Sequence, residues 1–294
     1  MKNMKSRLHI AVAFAAVLAV LGGPAKDAAA ADEAIAFGKE TFKISLGYYR
    51  PNFNSRVAVG LSGGTPPGDI DPEQDLGLDH NLGGARLDGY WRFADRHRIY
   101  FGYYQLNRSS SKTLDHDIGP IDIPGYGEVT INTGSNINTE AKWEIAILGY
   151  DYSFYKTEEL EIAGLIGLNV AQLGTKLSGT FCTSLDPCPP GLTGSTAGST
   201  LTVPMPVIGL NVDWAIDDRW RMRGHAGAFK ITINNIDAKV VDAAVAGEYR
   251  VWRNIWGGLG YTLLNASAAK NDGSSNASLD WRTGGPQLYV SMLF

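Results

Sequence analysis

Between Ala85 and Phe93 the chain alternates without a break. Ala85, Leu87, Gly89, Trp91 and Phe93 stand against Arg86, Asp88, Tyr90 and Arg92. Side chains along a strand point to opposite faces with period two, so this segment is a ribbon with one apolar side and one charged side. The same rhythm returns along almost all of the chain after residue 40. No apolar run after Leu21 reaches the roughly 20 residues that a spanning helix needs. Together these features predict an all-β chain made of two-faced strands.

Ten such strands are predicted. The first covers about Thr41 to Tyr49, with Phe42, Ile44, Leu46 and Tyr48 opposite Lys43, Ser45 and Gly47. A turn-rich loop follows over Asn52 to Leu78, and the second strand covers His80 to Phe93. The third, from Arg98 to about Ser110, carries an aromatic run, Tyr100 to Tyr104, that hides its parity. The fourth, Asn138 to Tyr155, sets Trp143, Ile145 and Ile147 outward against Lys142 and Glu144, then Tyr150, Tyr152 and Phe154 outward on the opposite parity. That change of parity predicts a bulge.

The fifth strand places Glu161 and Asn169 inward. The sixth has Ile208, Leu210, Val212, Trp214 and Ile216 against Asn211 and Asp213. The seventh has Arg221, Arg223 and His225 on one face, and the eighth has Asp242, Glu248 and Arg250. The ninth alternates Leu259, Tyr261 and Leu263 with Gly258, Gly260 and Thr262. The tenth, about Ala277 to Phe294, ends with Leu288, Val290, Met292 and Phe294 on one face. Eight and twelve strands are the alternative counts. Connections after the even-numbered strands are short, and those after the first, third and fifth are long.

The N-terminal segment has a three-part layout: Lys2, Lys5 and Arg7, then the apolar run Ile10 to Leu21, then small residues Ala28 to Ala31. This predicts a cleaved signal peptide over residues 1–30, a periplasmic segment over 31–40 and a barrel over 41–294. The chain carries a net charge of −4 and no basic stripe. Nucleic-acid binding lacks its electrostatic footprint.

A final strand with one apolar face and a terminal aromatic resembles the closing strand of bacterial outer-membrane β-barrels. The resemblance implies a closed antiparallel up-and-down transmembrane barrel in the bacterial outer membrane. It implies Phe294, Met292, Val290 and Leu288 as the assembly signal read by the barrel-assembly machinery. It also implies contact with outer-membrane lipid and lipopolysaccharide, and a monomer. Closure follows from physics as well, because every unpaired backbone group in a bilayer costs several kcal/mol. Trp91, Trp143, Trp214, Trp220 and Trp256 fall near strand ends, where interfacial girdles form.

With the apolar faces outward, the interior set is Lys43, Arg86, Asp88, Arg92, Lys142, Glu144, Glu161, Asp213, Arg221, Arg223, His225, Asp242, Glu248 and Arg250. Both signs are present, and a barrel of about ten strands is little wider than one that side chains fill. A lumen of paired charges is therefore expected, with a structural or surface-exposed role. A narrow porin-like channel is the first alternative. The second is a rim enzyme, because omptin proteases share the strand count and use an acidic pair with an Asp/His pair at the outer rim. The local candidates are Asp79–His80, Asp115–His116–Asp117, Asp69 and Asp71, although neighbours such as Asp79 and His80 point to opposite faces of a strand.

Cys182 and Cys188 sit in a Pro/Gly/Thr-rich segment and predict a small loop disulfide. The acidic run Asp69, Asp71, Glu73, Asp75 misses the EF-hand pattern, with Gln74 and His80 at its sixth and twelfth places. No metal and no cofactor is expected, since P-loop, Rossmann and zinc-ligand spacings are missing from the sequence.

Overall fold

The computed structural model describes residues 35–61, 68–81, 83–123, 127–180, 193–233, 235–271 and 275–294. The expected signal peptide, Cys182 and Cys188 lie outside them. Among the described residues there are fourteen strands: β1 (Phe42–Tyr49), β2 (Asn52–Leu61), β3 (Gly68–Ile70), β4 (Gly84–Ala94), β5 (His97–Thr113), β6 (Ile118–Ile123), β7 (Gly127–Ile131), β8 (Asn136–Lys156), β9 (Leu160–Thr180), β10 (Thr193–Ala215), β11 (Trp220–Ile233), β12 (Ile236–Trp252), β13 (Ile255–Asn271) and β14 (Ser275–Leu293).

Ten of the positions around the sheet are barrel staves. The order runs β1-β4-β5-β8-β9-β10-β11-β12-β13-β14, every pairing is antiparallel, and β14 returns to β1. Lys43 lies opposite Leu293 and Tyr49 opposite Gln287 across that closing seam. No edge is left along it, as a sheet immersed in hydrocarbon requires.

β2 continues the stave begun by β1. It pairs with the upper part of β14, Asn52 opposite Gly284 and Leu61 opposite Ser275. Between β1 and β2 the chain breaks at Arg50–Pro51, because proline has no N–H to give to a ladder. Gly285 lies against this break, and a Cβ there would come within 2.1 Å of the Arg50 carbonyl oxygen. The segment expected to be loop from Asn52 onward is therefore strand first. β8 and β9 match the expected fourth and fifth strands closely, β5 and β10 reach a few residues into regions expected to be loops, and β6 and β7 pair in a separate two-stranded sheet.

The turns at one end are short: Asp95–Arg96, Thr157–Glu159, Ile216–Arg219 and Arg253–Asn254. Asp217 closes its turn by accepting from the backbone N–H of Arg219 at 2.6 Å and of Trp220 at 2.7 Å. Both chain ends of the barrel lie at this short-turn end.

The outer face carries an apolar belt. Leu46 is 65% exposed, Ile166 60% and Leu259 65%, and Leu148, Ile208, Val245, Leu288 and Val290 stand beside them. Soluble monomers rarely expose apolar patches beyond a few hundred Å². This belt covers staves all around the sheet and is suited to hydrocarbon. Leu288, Val290, Met292 and Phe294 all belong to it, whereas Leu293 is buried inside.

Candidate functional site: the barrel interior

The interior is built in layers, which follow from the inward parity of each stave. At the short-turn end the layer is ionic. Arg98 of β5, 1% exposed, is its hub. Its Nη1 lies 2.8 Å from Asp213 Oδ2, its Nη2 lies 3.3 Å from Asp151, and Glu161 is 3.7 Å away. Arg92 grips Glu161 with two parallel bonds of 2.8 Å, the bidentate arrangement that an Arg fork favours. Its Nη2 also donates to Glu40 at 3.2 Å, and Glu40 accepts from Tyr90 Oη at 2.6 Å.

Arg223 Nε donates to Asp213 at 2.6 Å. Lys43 is paired with Glu248, which also accepts from Tyr289 Oη at 2.9 Å. Gly258 makes room for this tyrosine, since a Cβ there would lie 2.3 Å from the Tyr289 ring. These pairs cross the lumen. Arg92 to Glu161, Arg98 to Asp213 and Lys43 to Glu248 each join staves three places apart in the ring. Beneath them Trp256 is buried under Arg221, whose guanidinium lies 4.1 Å from the ring centre, with Arg250 at 5.8 Å.

Higher in the barrel a polar chain runs sideways. His225 sits between Asn211, 2.7 Å from its Nδ1, and Asp242 at its Nε2. Asn211 donates in turn to Asp151 at 2.9 Å. Arg86 pairs with Asp88 two residues along the same stave and stacks on Tyr104 and Tyr289.

At the long-loop end the filling is aromatic and apolar. Phe53, Leu78, Leu106, Ala141, Trp143 and Trp281 form one buried cluster, with Ile145, Leu173, Leu264 and Ala266 packed on it. The Trp143 and Trp281 rings meet edge to face at 4.0 Å, and Phe53 lies 5.6 Å from Trp143. Arg108 is laid over Phe53 at 4.3 Å and bonds Glu73 at 2.6 Å. Glu73 also accepts from the backbone N–H of Ser55 at 3.0 Å. Part of the acidic run is thus drawn into the barrel mouth as a paired charge. Asp71 is engaged by backbone N–H groups of Glu73 and Gln74. Among the described residues no cluster of three or more His, Cys, Asp or Glu is arranged to hold a metal.

Of the residues expected inside, the structure places Arg86, Asp88, Arg92, Asp213, Arg221, Arg223, His225, Asp242 and Glu248 in the interior, and Arg250 half-buried at its short-turn end. Glu144 is a correction. It lies on the outer face above the belt, bound to Lys142 at 2.7 Å and to Tyr103 Oη at 3.1 Å. β8 keeps one parity from Ala141 to Ser153, so Trp143 and Ile145 turn inward and Lys142 and Glu144 outward; its register shift falls later, between Ser153 and Tyr155. Trp143 and Trp256 accordingly fill the interior, whereas Trp91, Trp214 and Trp220 are exposed on the outer face. The charges of the lumen gather toward its short-turn half, and the Arg108–Glu73 pair is buried at the long-loop mouth.

Arg98, Glu40 and Asp151 are interior residues that the alternation pattern did not reveal. A signal for Arg98 existed. It lies directly opposite Arg92 across the tight turn, and residues opposite one another in an antiparallel pair share a face.

Of the rim candidates, Asp115 and His116 are in contact, whereas His80 is engaged elsewhere. The His80 ring nitrogen Nδ1 lies 3.1 Å from the Phe53 carbonyl oxygen, and the Asp79 carbonyl accepts from Arg108 at 3.4 Å. His116 is half-exposed between Asp115 at 2.6 Å and Asp75 at 3.2 Å. The hydrogen bond from His116 holds the Asp115 carboxyl below the usual carboxylate range.

Between the ionic and aromatic layers lies a cavity of about 170 Å³. Arg86, Asp213, Arg223, His225 and Tyr289 border it on one side, and Leu106, Ile145, Leu264 and Trp281 on the other.

Among solved structures, the outer-membrane protease OmpT from Escherichia coli aligns over 90% of this chain and 100% of its own, at 10% identity and a TM-score of 0.53. The attachment invasion locus protein Ail of Yersinia pestis aligns over 84% of this chain and 99% of its own, at 11% identity and a TM-score of 0.27. The toluene transporter TodX of P. putida aligns over 86% of this chain and 90% of its own, at 9% identity and 0.34. No protein-family model and no curated protein matches the sequence. The ring of ten antiparallel staves, the apolar belt and the OmpT alignment agree: this chain has the fold of the bacterial outer-membrane β-barrels.

Proposed function

We propose that the protein resides in the bacterial outer membrane as a sealed barrel with a structural or surface-exposed role, its short turns toward the periplasm and its long strands and loops toward the exterior. The observation that carries this reading is the double closure of the lumen. Ion pairs spanning from wall to wall fill one half, and the Phe53–Trp143–Trp281 cluster fills the other. A conducting path would have to break paired charges in a poorly hydrated interior, which is costly, or part an aromatic cluster packed at core density. In this reading the chain is a monomer. It meets outer-membrane lipid and lipopolysaccharide along its belt, and it presents the apolar face of β14 to the barrel-assembly machinery.

Planar-bilayer recording on the refolded protein tests the proposal. Silent membranes are expected across ±100 mV, a range chosen to be about that of ordinary membrane potentials. Discrete conductance steps from the unaltered protein would overturn the sealed reading in favour of a narrow channel.

A further inference from the structure

We propose that the mid-barrel cavity is a binding site for a small neutral molecule with one ring and one hydroxyl group, phenol being the simplest member of the class. Size sets the first limit. An engineered apolar cavity of about 150 Å³ takes up benzene. The space here, about 170 Å³, holds one ring with a small substituent and no fused ring system.

The walls set the second limit. One side is apolar, from Ile145, Val207, Leu264 and the neighbouring Met205. On the other side the lining is polar and offers both donors and acceptors, from Arg86, Asn211, Asp242, Thr262 and Gln287. A molecule that both donates and accepts matches that side, and a hydrocarbon does not.

Charge sets the third limit. Asp213 is held by Arg98 and Arg223, and Asp88 by Arg86. A carboxylate ligand would find these arginines already paired and would lose its hydration. Water alone satisfies the polar side and leaves the apolar wall unmatched.

The test uses the full-length protein refolded into nanodiscs, with phenol present during refolding or added afterwards, and binding followed by ligand-observed NMR and by tryptophan fluorescence. Saturable uptake of one phenol per chain is expected, with benzene at least tenfold weaker and benzoate not bound. Val207→Phe and Thr262→Leu each add bulk to the cavity wall and are expected to weaken phenol at least tenfold while heat-modifiable migration on gels is kept. Thr262→Leu decides if Val207→Phe does not fold. Uptake that rises linearly with phenol and is equal in the variants means partition into lipid and overturns the site. No uptake means a cavity holding water only, and also overturns it. Conductance is not part of the readout. A protein that conducts and binds phenol refutes only the sealed-barrel reading, and one that is silent and takes up nothing refutes only this site.

Discussion

Replacing Arg98 with Met keeps the unbranched stem of the side chain and removes its charged head. The cost follows from what the three neighbouring carboxylates retain. Asp213 keeps Arg223 at 2.6 Å, and Glu161 keeps the two bonds from Arg92 and one from Ser153. Asp151 keeps only the Asn211 amide at 2.9 Å. Charges 3 Å apart attract by about 5 kcal/mol at an effective dielectric near 20. Part of that is returned, because burying Arg98 itself required stripping its water. A net loss of about 3–5 kcal/mol is expected, as for other buried pairs that lose one partner. Most of it belongs to Asp151, so the double variant Arg98→Met/Asp151→Asn is expected to recover about 1–3 kcal/mol through the coupling of neighbouring sites. Reversible urea unfolding in lipid vesicles, followed by tryptophan fluorescence, measures both. A loss below about 1 kcal/mol for the single variant, or additive losses in the double, would refute the view that Arg98 is the hub of the ionic layer.

The aromatic layer predicts that Trp281→Ala costs about 3–5 kcal/mol in the same unfolding assay, the range for truncating a buried large aromatic. Gly258→Ala is expected to lose about 1–3 kcal/mol by overpacking against Tyr289. Gly164→Ala, where nothing lies within 4 Å of the new Cβ, should lose no more than a few tenths. Lys156 donates to Asp95 at 2.8 Å in the short β4–β5 turn and holds its carboxyl below the usual range. The pair therefore stabilises the fold at pH values above the normal carboxylate pKa, and the contribution is lost as pH falls through the lowered value. NMR titration should show the Asp95 midpoint rising in Lys156→Met.

The staves were readable because a two-faced wall forces alternation onto the sequence. β4, β9, β11 and β12 show their inward and outward residues directly. The pattern misled where the interior ceased to be polar. In β8 both faces near Trp143 and Ile145 are chemically the reverse of the usual assignment: the inward side is aromatic, and the outward side rises above the belt into a region where Lys142 and Glu144 are solvated. Hydrophobicity reports contact with something apolar and does not say whether that is lipid or a neighbouring tryptophan. The cavity was beyond reach for a different reason. Its lining comes from many staves, and which of them face one another depends on how the ring is staggered, which no single strand records.

Lys43 and Glu248 are 205 positions apart along the chain. They meet only once the ribbon has become a ring. A half-wound intermediate leaves each of them bare, and a slip of one position at the seam turns every side chain of the first stave to the wrong side. The lumen thus acts as a lock that only the correctly joined hoop can fasten, and a misaligned hoop is rejected by its own stranded charges.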